Sequence, residues 1–332
     1  MSEPIVEIRE VSKTFVRELD FSERVANLLG ARYRPTVVRA VDRVSLSVSP
    51  GEVVGLVGES GCGKSTLGRM VAGVLEPTAG EVLFRGRSHD DSSRTARRDT
   101  ALKVQMIFQD PFASLNPRLR VGEIIGEAPL YHGLVSRAEL EERVAGLMRR
   151  VGLDPAYARR YPHQFSGGQR QRIGIARALA VEPEFLVCDE AIAALDVSIQ
   201  AQILNLFMEL RRDLGLTYLF ISHDLGVVEH ISDRIAIMYL GRLVELADTE
   251  ELYRRPNHPY SRALLEDVPR LDAGRRRFRP IKGEIPSPVA PPPGCHFHPR
   301  CPHAFARCRT EAPVLREIAP GHFAACHLND AG

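Results

Sequence analysis

Short, almost wholly apolar runs recur through the middle of the chain: EVVGLV (52–57), EFLVCDE (184–190), TYLFIS (217–222) and RIAIMYL (234–240). Between them lie longer stretches with apolar residues at helical spacing, such as STLGRMVAGVL after the first run and LEERVAGLMRRVGL at 140–153. Runs this short and this apolar read as strands buried on both faces. Strands that alternate with helices predict a mostly parallel sheet covered on both sides. Further helices are expected from about 167, over 198–213 and, more densely, across 120–160. The ends of the chain read differently. Residues 5–8 and 44–48 alternate like short strands, as do Glu81 to Phe84. Residues 17–38 form an insertion with helical potential in SERVANLLGARYR, and the polar stretch SHDDSSRTARRDT (88–100) reads as a loop. Prolines at 286, 288, 291, 292 and 293 mark a linker into a cysteine-rich end. No internal repeat is evident.

The turns between these elements carry the chemistry. GESGCGKS (58–65) fits G-x-x-x-x-G-K-S/T at every fixed position, after a strand and before a helix. Gly58, Gly61 and Gly63 let the backbone curl so that several N–H groups can face one anion. Lys64 supplies a cation for the outer phosphates and Ser65 a hydroxyl for Mg²⁺. The helix that begins there adds its positive end. The loop residues Glu59, Ser60 and Cys62, with Thr66 just beyond, complete the expected cradle. FLVCDE ends in two carboxylates at the carboxyl end of a strand, where open α/β sheets bind ligands. Asp189 is placed to reach Mg²⁺, and Glu190 to orient and deprotonate an attacking water. FSGGQ (165–169) opens a helix with Ser166 as its cap and Gly167 and Gly168 exposing backbone donors. The chain already has one phosphate loop, so this second anion site is expected to serve nucleotide bound to another subunit.

Composition narrows the function. The 332 residues are 44% hydrophobic and 26% charged, with net charge +2 from 44 basic and 42 acidic side chains. That balance gives no footprint for broad nucleic-acid binding. The local basic runs at Arg94, Arg97 and Arg98, and at Arg275, Arg276, Arg277 and Arg279, read as solvated surface. No apolar run reaches the ~18 residues of a membrane span, and MSEPIVEIRE lacks a signal core. A cytoplasmic chain is expected, held at any membrane by other subunits. Four of the six cysteines, Cys295, Cys301, Cys308 and Cys326, fall in the last 38 residues, separated by five, six and seventeen positions. Reducing cytoplasm disfavours disulfides and points to a four-thiolate metal site. The spacing matches neither a short zinc knuckle nor a compact ferredoxin run, so it leaves the metal open. His296, His298, His303, His322 and His327 are possible substitute ligands. Cys62 and Cys188 read as small packing residues.

The ordered set of phosphate loop, FSGGQ, FLVCDE and a later histidine resembles the nucleotide-binding subunits of ABC transporters. The resemblance implies a RecA-like α/β core, a short antiparallel β subdomain and a helical subdomain at about 112–163, together spanning 1–255. It adds three positions. Gln109, in IFQDPFASLNP, resembles the glutamine that contacts Mg²⁺ and the attacking water. Asp196, in AALD, resembles the residue linking two ATP sites, and His223, in ISHDL, the histidine at the γ-phosphate. Phe15, in KTFV, is the candidate adenine-stacking aromatic, with a core role as the alternative. GESGCGKSTLGR, QDPFASLNPR, ALDVSIQAQ, HPYSRALL and KGEIPSP…GCHFHPRCP are similar to the oligopeptide/dipeptide importer ATPases, and within them to the F-type subunit. That resemblance covers nearly the whole chain. It implies ATP and Mg²⁺, a small C-terminal region (256–332) with a 4Fe–4S cluster (zinc being the alternative), a companion ATPase of D type and two transmembrane permeases. It further implies an extracytoplasmic peptide-binding protein and a position at the cytoplasmic face of the membrane. Ala191, Ala193 and Phe165 depart from the usual residues, and none removes a reacting group. The rival reading is a soluble ABC ATPase acting on nucleic acid or ribosomes.

Overall fold

The computed structural model describes residues 3–88, 94–110, 113–266 and 283–330. Its described strands are β1 (Val6–Arg17), β2 (Thr36–Val48), β3 (Val53–Val57), β4 (Ala79–Phe84), β5 (Arg87–Ser88), β6 (Val104–Ile107), β7 (Phe185–Asp189), β8 (Thr217–Ser222), β9 (Arg234–Tyr239), β10 (Arg242–Asp248), β11 (Arg316–Ala319) and β12 (His322–Ala324). The helices are α1 (Phe21–Leu28), α2 (Lys64–Val71), α3 (Arg94–Lys103), α4 (Val121–Tyr131), α5 (Leu140–Arg150), α6 (Gly167–Leu179), α7 (Val197–Leu214), α8 (Leu225–Ile231), α9 (Thr249–Arg254), α10 (Pro259–Glu266) and α11 (Ala306–Thr310). An antiparallel sheet runs β2-β1-β4-β5, and a larger sheet runs β11-β12-β10-β9-β3-β8-β7-β6. From β9 to β6 the larger sheet is parallel; β10, β12 and β11 are antiparallel additions at one edge.

Strand β3 explains the layering. All five of its residues are buried, with Val53 and Val57 in one apolar layer and Val54 and Leu56 in the other. Period-two alternation thus feeds two cores at once, which is why the strand is apolar throughout. Gly55 lies between them because a Cβ there would stand 2.2 Å from Val228 Cγ1 of α8. The same layers bury β7 and β8 completely. The parallel strands therefore end together, and the turns after β3, β7 and β8 converge on one edge.

Three expectations need correction. The polar stretch expected as a loop over 88–100 is helical from Arg94, outside residues 89–93, which are not described. A charged, exposed helix carries no apolar periodicity to announce it. The terminal strands are longer than 5–8 and 44–48, because β1 and β2 pair with each other out to Arg17 and Thr36. The helix expected within the insertion at 17–38 is present as α1, but it ends at Leu28, short of the full SERVANLLGARYR stretch, and Arg17 and Thr36–Val38 belong to the ribbon. Pro111, Phe112 and Arg275–Arg279 lie outside the described residues.

Candidate nucleotide-binding and hydrolytic site

The loop between β3 and α2 is shaped by what its glycines must avoid. Gly63 has φ 107°, and a Cβ on it would stand 2.1 Å from the Ala40 carbonyl oxygen. Gly58 meets a different constraint: a Cβ there would lie 2.2 Å from the Met238 carbonyl oxygen. β2 and β9 therefore press on the loop from both sides. Lys64 opens α2 and is buried. Its Nζ donates to the carbonyls of Gly58 (2.7 Å) and Glu59 (3.1 Å), curling back over the loop. Cys62 is buried among apolar neighbours, as expected of a packing residue.

Ser65 and Asp189 meet across the end of the sheet. The Ser65 hydroxyl donates to Asp189 Oδ1 at 2.7 Å. Asp189 is 2% exposed, and burial pushes its carboxyl above the usual range against the pull of that hydrogen bond. A buried carboxylate beside a hydroxyl is a fitting seat for a hard cation. Among the described residues no three His, Cys, Asp or Glu side chains form a metal-holding group. A Mg²⁺ bound mainly through hydroxyl, one carboxylate, phosphate and water needs no such cluster.

Glu190 follows with φ 46°, a left-handed conformation rare for a residue with a Cβ. Its N–H donates to the Ile221 carbonyl at 3.0 Å, which anchors the turn on β8. One oxygen of its carboxylate, Oε2, accepts from Gln109 Nε2 at 2.8 Å and lies 3.5 Å from His223 Nδ1. Side chains from the ends of β6, β7 and β8 thus meet at one atom. Such backbone strain, held by its surroundings, is characteristic of functional sites.

A cleft of about 220 Å³ joins these parts. Its lining includes Ser60, Gly61, Lys64, Ser65, Thr66, Gln109 and Glu190. This falls below the roughly 300–1,000 Å³ of a complete small-molecule pocket. Arg39, Leu240 and Pro288 also line it, and pattern reasoning missed all three because they come from β2, the end of β9 and the proline segment. Phe15 does not line the cleft. It is 43% exposed on β1, so the core alternative is excluded, and Lys13 Nζ stands 5.5 Å above its ring. Its partner in the ribbon, Val38, does reach the cleft. Ser166, Gly167, Gly168 and Gln169 also lie away from it. Ser166 caps α6, its hydroxyl accepting from Gln169 N–H (3.3 Å) while Gln169 Oε1 accepts from Ser166 N–H (3.1 Å). Asp196, at the start of α7, is exposed.

The cysteine end departs from expectation. Burial pushes the Cys295 thiol up to about 11 and raises Cys301 and Cys326, with neighbouring thiols adding to each. The Cys295 N–H donates to the Cys308 carbonyl at 2.9 Å, which holds those two residues side by side. Among the described residues no three His, Cys, Asp or Glu side chains form a group placed to hold a metal ion. Several histidines named as substitutes are committed elsewhere. His322 Nε2 is 2.8 Å from Glu245, His327 Nδ1 is 2.8 Å from Asp330, and His296 and His298 bond carbonyls of Leu240 and Cys295.

Comparison with known proteins accords with this geometry. Residues 41–193 match the ABC transporter family model, and residues 244–308 match the model of the oligopeptide/dipeptide transporter C-terminal region. The oligopeptide transport ATP-binding protein AppF of Bacillus subtilis is 50% identical over 331 residues, 98% of each chain. A putative peptide import ATP-binding protein of Brucella ovis is 53% identical over 294 residues, covering 88% of this chain and 93% of its own. Among solved structures, the ATP-binding cassette MJ0796, a dimer bound to ADP and phosphate in a post-hydrolysis state, is similar with TM-score 0.62 at 27% identity, covering 74% of this chain and 98% of its own. The cbiO1 subunit of a Clostridium perfringens ABC transporter complex gives TM-score 0.62 at 25% identity, over 76% and 92%. A likeness that spans almost the full chain and carries both family models leaves one conclusion: this chain belongs to the ATP-binding subunits of peptide-transporting ABC systems, and it is an ATP hydrolase.

Proposed function

We propose that the chain hydrolyses ATP to drive uptake of di- and oligopeptides through two membrane permeases, fed by an extracytoplasmic peptide-binding protein. Peptide cargo is supported by the names of its relatives and by the match of its C-terminal region. Within it, 1–255 is the nucleotide-binding unit, with a helical subdomain built on α4 and α5, and 256–332 the C-terminal unit. Among the described residues no helix is long and apolar enough to cross a membrane, which suits a peripheral subunit at the cytoplasmic face.

The phosphates lie along the Gly58–Thr66 loop, with Lys64 leaving the loop carbonyls to meet them. Ser65 and Asp189 would hold Mg²⁺, with Gln109 beside them, and the bound ion would supply charge neutralisation for the transferred phosphoryl group. Glu190 accepts the proton of the attacking water, oriented by Gln109, while His223 contacts the γ-phosphate. Phe15 stands on the ribbon beside the cleft, where an adenine would stack on its exposed face. Ser166–Gln169 and Asp196 of a companion ATPase, an F/D-type pair, close the second side of the pocket. The small cleft and the absence of the FSGGQ residues from its lining support this half-site reading. The four C-terminal thiols offer the donors of a 4Fe–4S cluster or zinc once deprotonated, and metal analysis of anaerobically purified protein decides whether either is taken up.

The single observation that carries the catalytic reading is the meeting of Gln109 and His223 at Glu190 Oε2. Glu190→Gln keeps the shape and removes the base. Turnover should fall by about 10²–10⁴-fold, with ATP still bound, closed dimers accumulating and peptide uptake lost. Normal hydrolysis by this variant in a purified-complex assay would remove Glu190 from its role.

A further inference from the structure

Glu59 is the second residue of the phosphate-binding loop, and each of its polar groups is engaged. Its carboxylate receives both terminal nitrogens of Arg300, Nη1 to Oε2 at 2.6 Å and Nη2 to Oε1 at 2.9 Å. Its N–H donates to the Tyr260 hydroxyl at 2.9 Å, and its carbonyl accepts from Lys64 Nζ. Two of these three anchors come from the C-terminal region, one from α10 and one from the residue before Cys301. Arg300 has a side chain only 4% exposed. Its other recorded hydrogen bond is a long one to the Tyr239 hydroxyl at 3.5 Å, and its Nε has no hydrogen-bond partner among the described residues. Tyr239, Tyr260 and Phe297 pack ring against ring beneath it, with centroids 4.7–5.4 Å apart. A two-pronged arginine–carboxylate pair fixes direction as well as distance, and the aromatic floor leaves the guanidinium little room to swing.

We propose that Arg300 and Tyr260 are positioning residues of the ATP site: the C-terminal region sets the curvature of the phosphate-binding loop by holding Glu59 from two sides. The idea rests on the ATP-site reading above. Glu59 is not among the residues lining the cleft, and its carboxylate is taken up by Arg300. What it does is keep its own backbone fixed, and with it the carbonyl on which Lys64 parks before nucleotide arrives. Loosening Arg300 should let the loop relax and weaken phosphate capture more than the later chemistry, since Gln109, Glu190 and His223 come from other strands.

The test compares ATP KM and kcat for the full-length chain, in complex with the subunits that purify with it, carrying Arg300→Gln, Arg300→Lys, Glu59→Gln and the double variant Arg300→Gln/Glu59→Gln. Arg309→Gln, on an exposed residue of the same region, is the control for general disturbance. Arg300→Gln should raise KM by roughly ten- to a hundredfold, with kcat falling less than about threefold. Arg300→Lys, which keeps the charge and loses the fork, should lie between it and the parent. The double variant should be no worse than the more affected single variant, because both remove one interaction. An Arg300→Gln chain that folds and keeps KM within about twofold of the parent overturns the proposal, as do single effects that multiply in the double variant. If Arg300→Gln fails to fold, Glu59→Gln decides alone: an unchanged KM refutes the role of the pair. A parent complex that hydrolyses no ATP would instead sink the ATP-site reading itself.

Discussion

Gly61 and Gly63 both take positive φ, at 79° and 107°, but only one is crowded. Nothing lies within 4 Å of a Cβ added at Gly61, whereas at Gly63 it meets the Ala40 carbonyl oxygen at 2.1 Å. The first glycine is required for its backbone angle alone, the second for angle and space. Gly61→Ala should therefore weaken ATP binding by about 1–2 kcal/mol, the cost of a left-handed alanine. Gly63→Ala should cost more, because either β2 or the start of α2 must also move. Nucleotide titrations of the two variants check the order; equal affinities would mean that β2 does not press on the loop. The motif pattern fixes Gly63 and leaves Gly61 a free position, and it gives no sign of the crowding at Gly63, because that comes from a strand distant in the chain.

At the scale of elements, the entry to α10 is tuned by one histidine. His258 is 1% exposed, and burial outweighs the pull of Glu245 to lower its pKa to about 4. Its Nδ1 accepts from the Tyr260 N–H at 3.1 Å, a bond that only a neutral ring can make. A histidine whose folded pKa lies below its unfolded value stays neutral while the unfolded chain takes up a proton first. Stability is then full above about pH 6.5 and is lost as pH falls toward 4. The loss should be on the order of 3 kcal/mol, read from denaturant unfolding at pH 7 and pH 4.5, and His258→Asn should flatten that part of the slope. An unchanged slope would mean that another group carries it. The same region shows why some elements escape sequence reading. β10 and α9 were not marked as elements from the sequence, and α3 is too polar for a periodic signal. α7 was legible to within one residue at each end, and the periodic stretch 140–153 marked α5, which ends earlier, at Arg150.

At the scale of the whole molecule, the C-terminal region is an extension of the main sheet. β12 pairs with β10, and β11 with β12. The joint is polar at its centre. Glu245, 0% exposed, accepts from His322 Nε2 at 2.8 Å and from the N–H groups of Asn257 (2.7 Å) and His258 (2.8 Å). Buried carboxylates are tolerated only when so satisfied. His322→Ala removes a donor and leaves the carboxylate short of a partner. It should cost about 1–3 kcal/mol of unfolding free energy, measured by denaturant titration, and loosen the edge on which Arg300 depends. No measurable loss would mean that water replaces the imidazole freely.

The residue order alone determined the β3–loop–α2 unit, the carboxylate pair after β7 and the histidine after β8. Each is a local rule: a strand, a turn that only certain side chains permit, and a charge at the strand's carboxyl end. Tertiary structure decided what those rules cannot reach. Gln109 and His223 converge on a single oxygen of Glu190 because three parallel strands end at the same level. The four cysteines fall in one region, yet among the described residues no three side chains form a metal-holding group, which spacing could not reveal. Glu59 was expected only as part of the phosphate cradle; its tie to Arg300, 241 positions away, comes from the fold. Spacing in sequence fixes chemistry over one or two turns of chain; contacts of that reach exist only because the sheet edge brings the C-terminal region back to the start of the site.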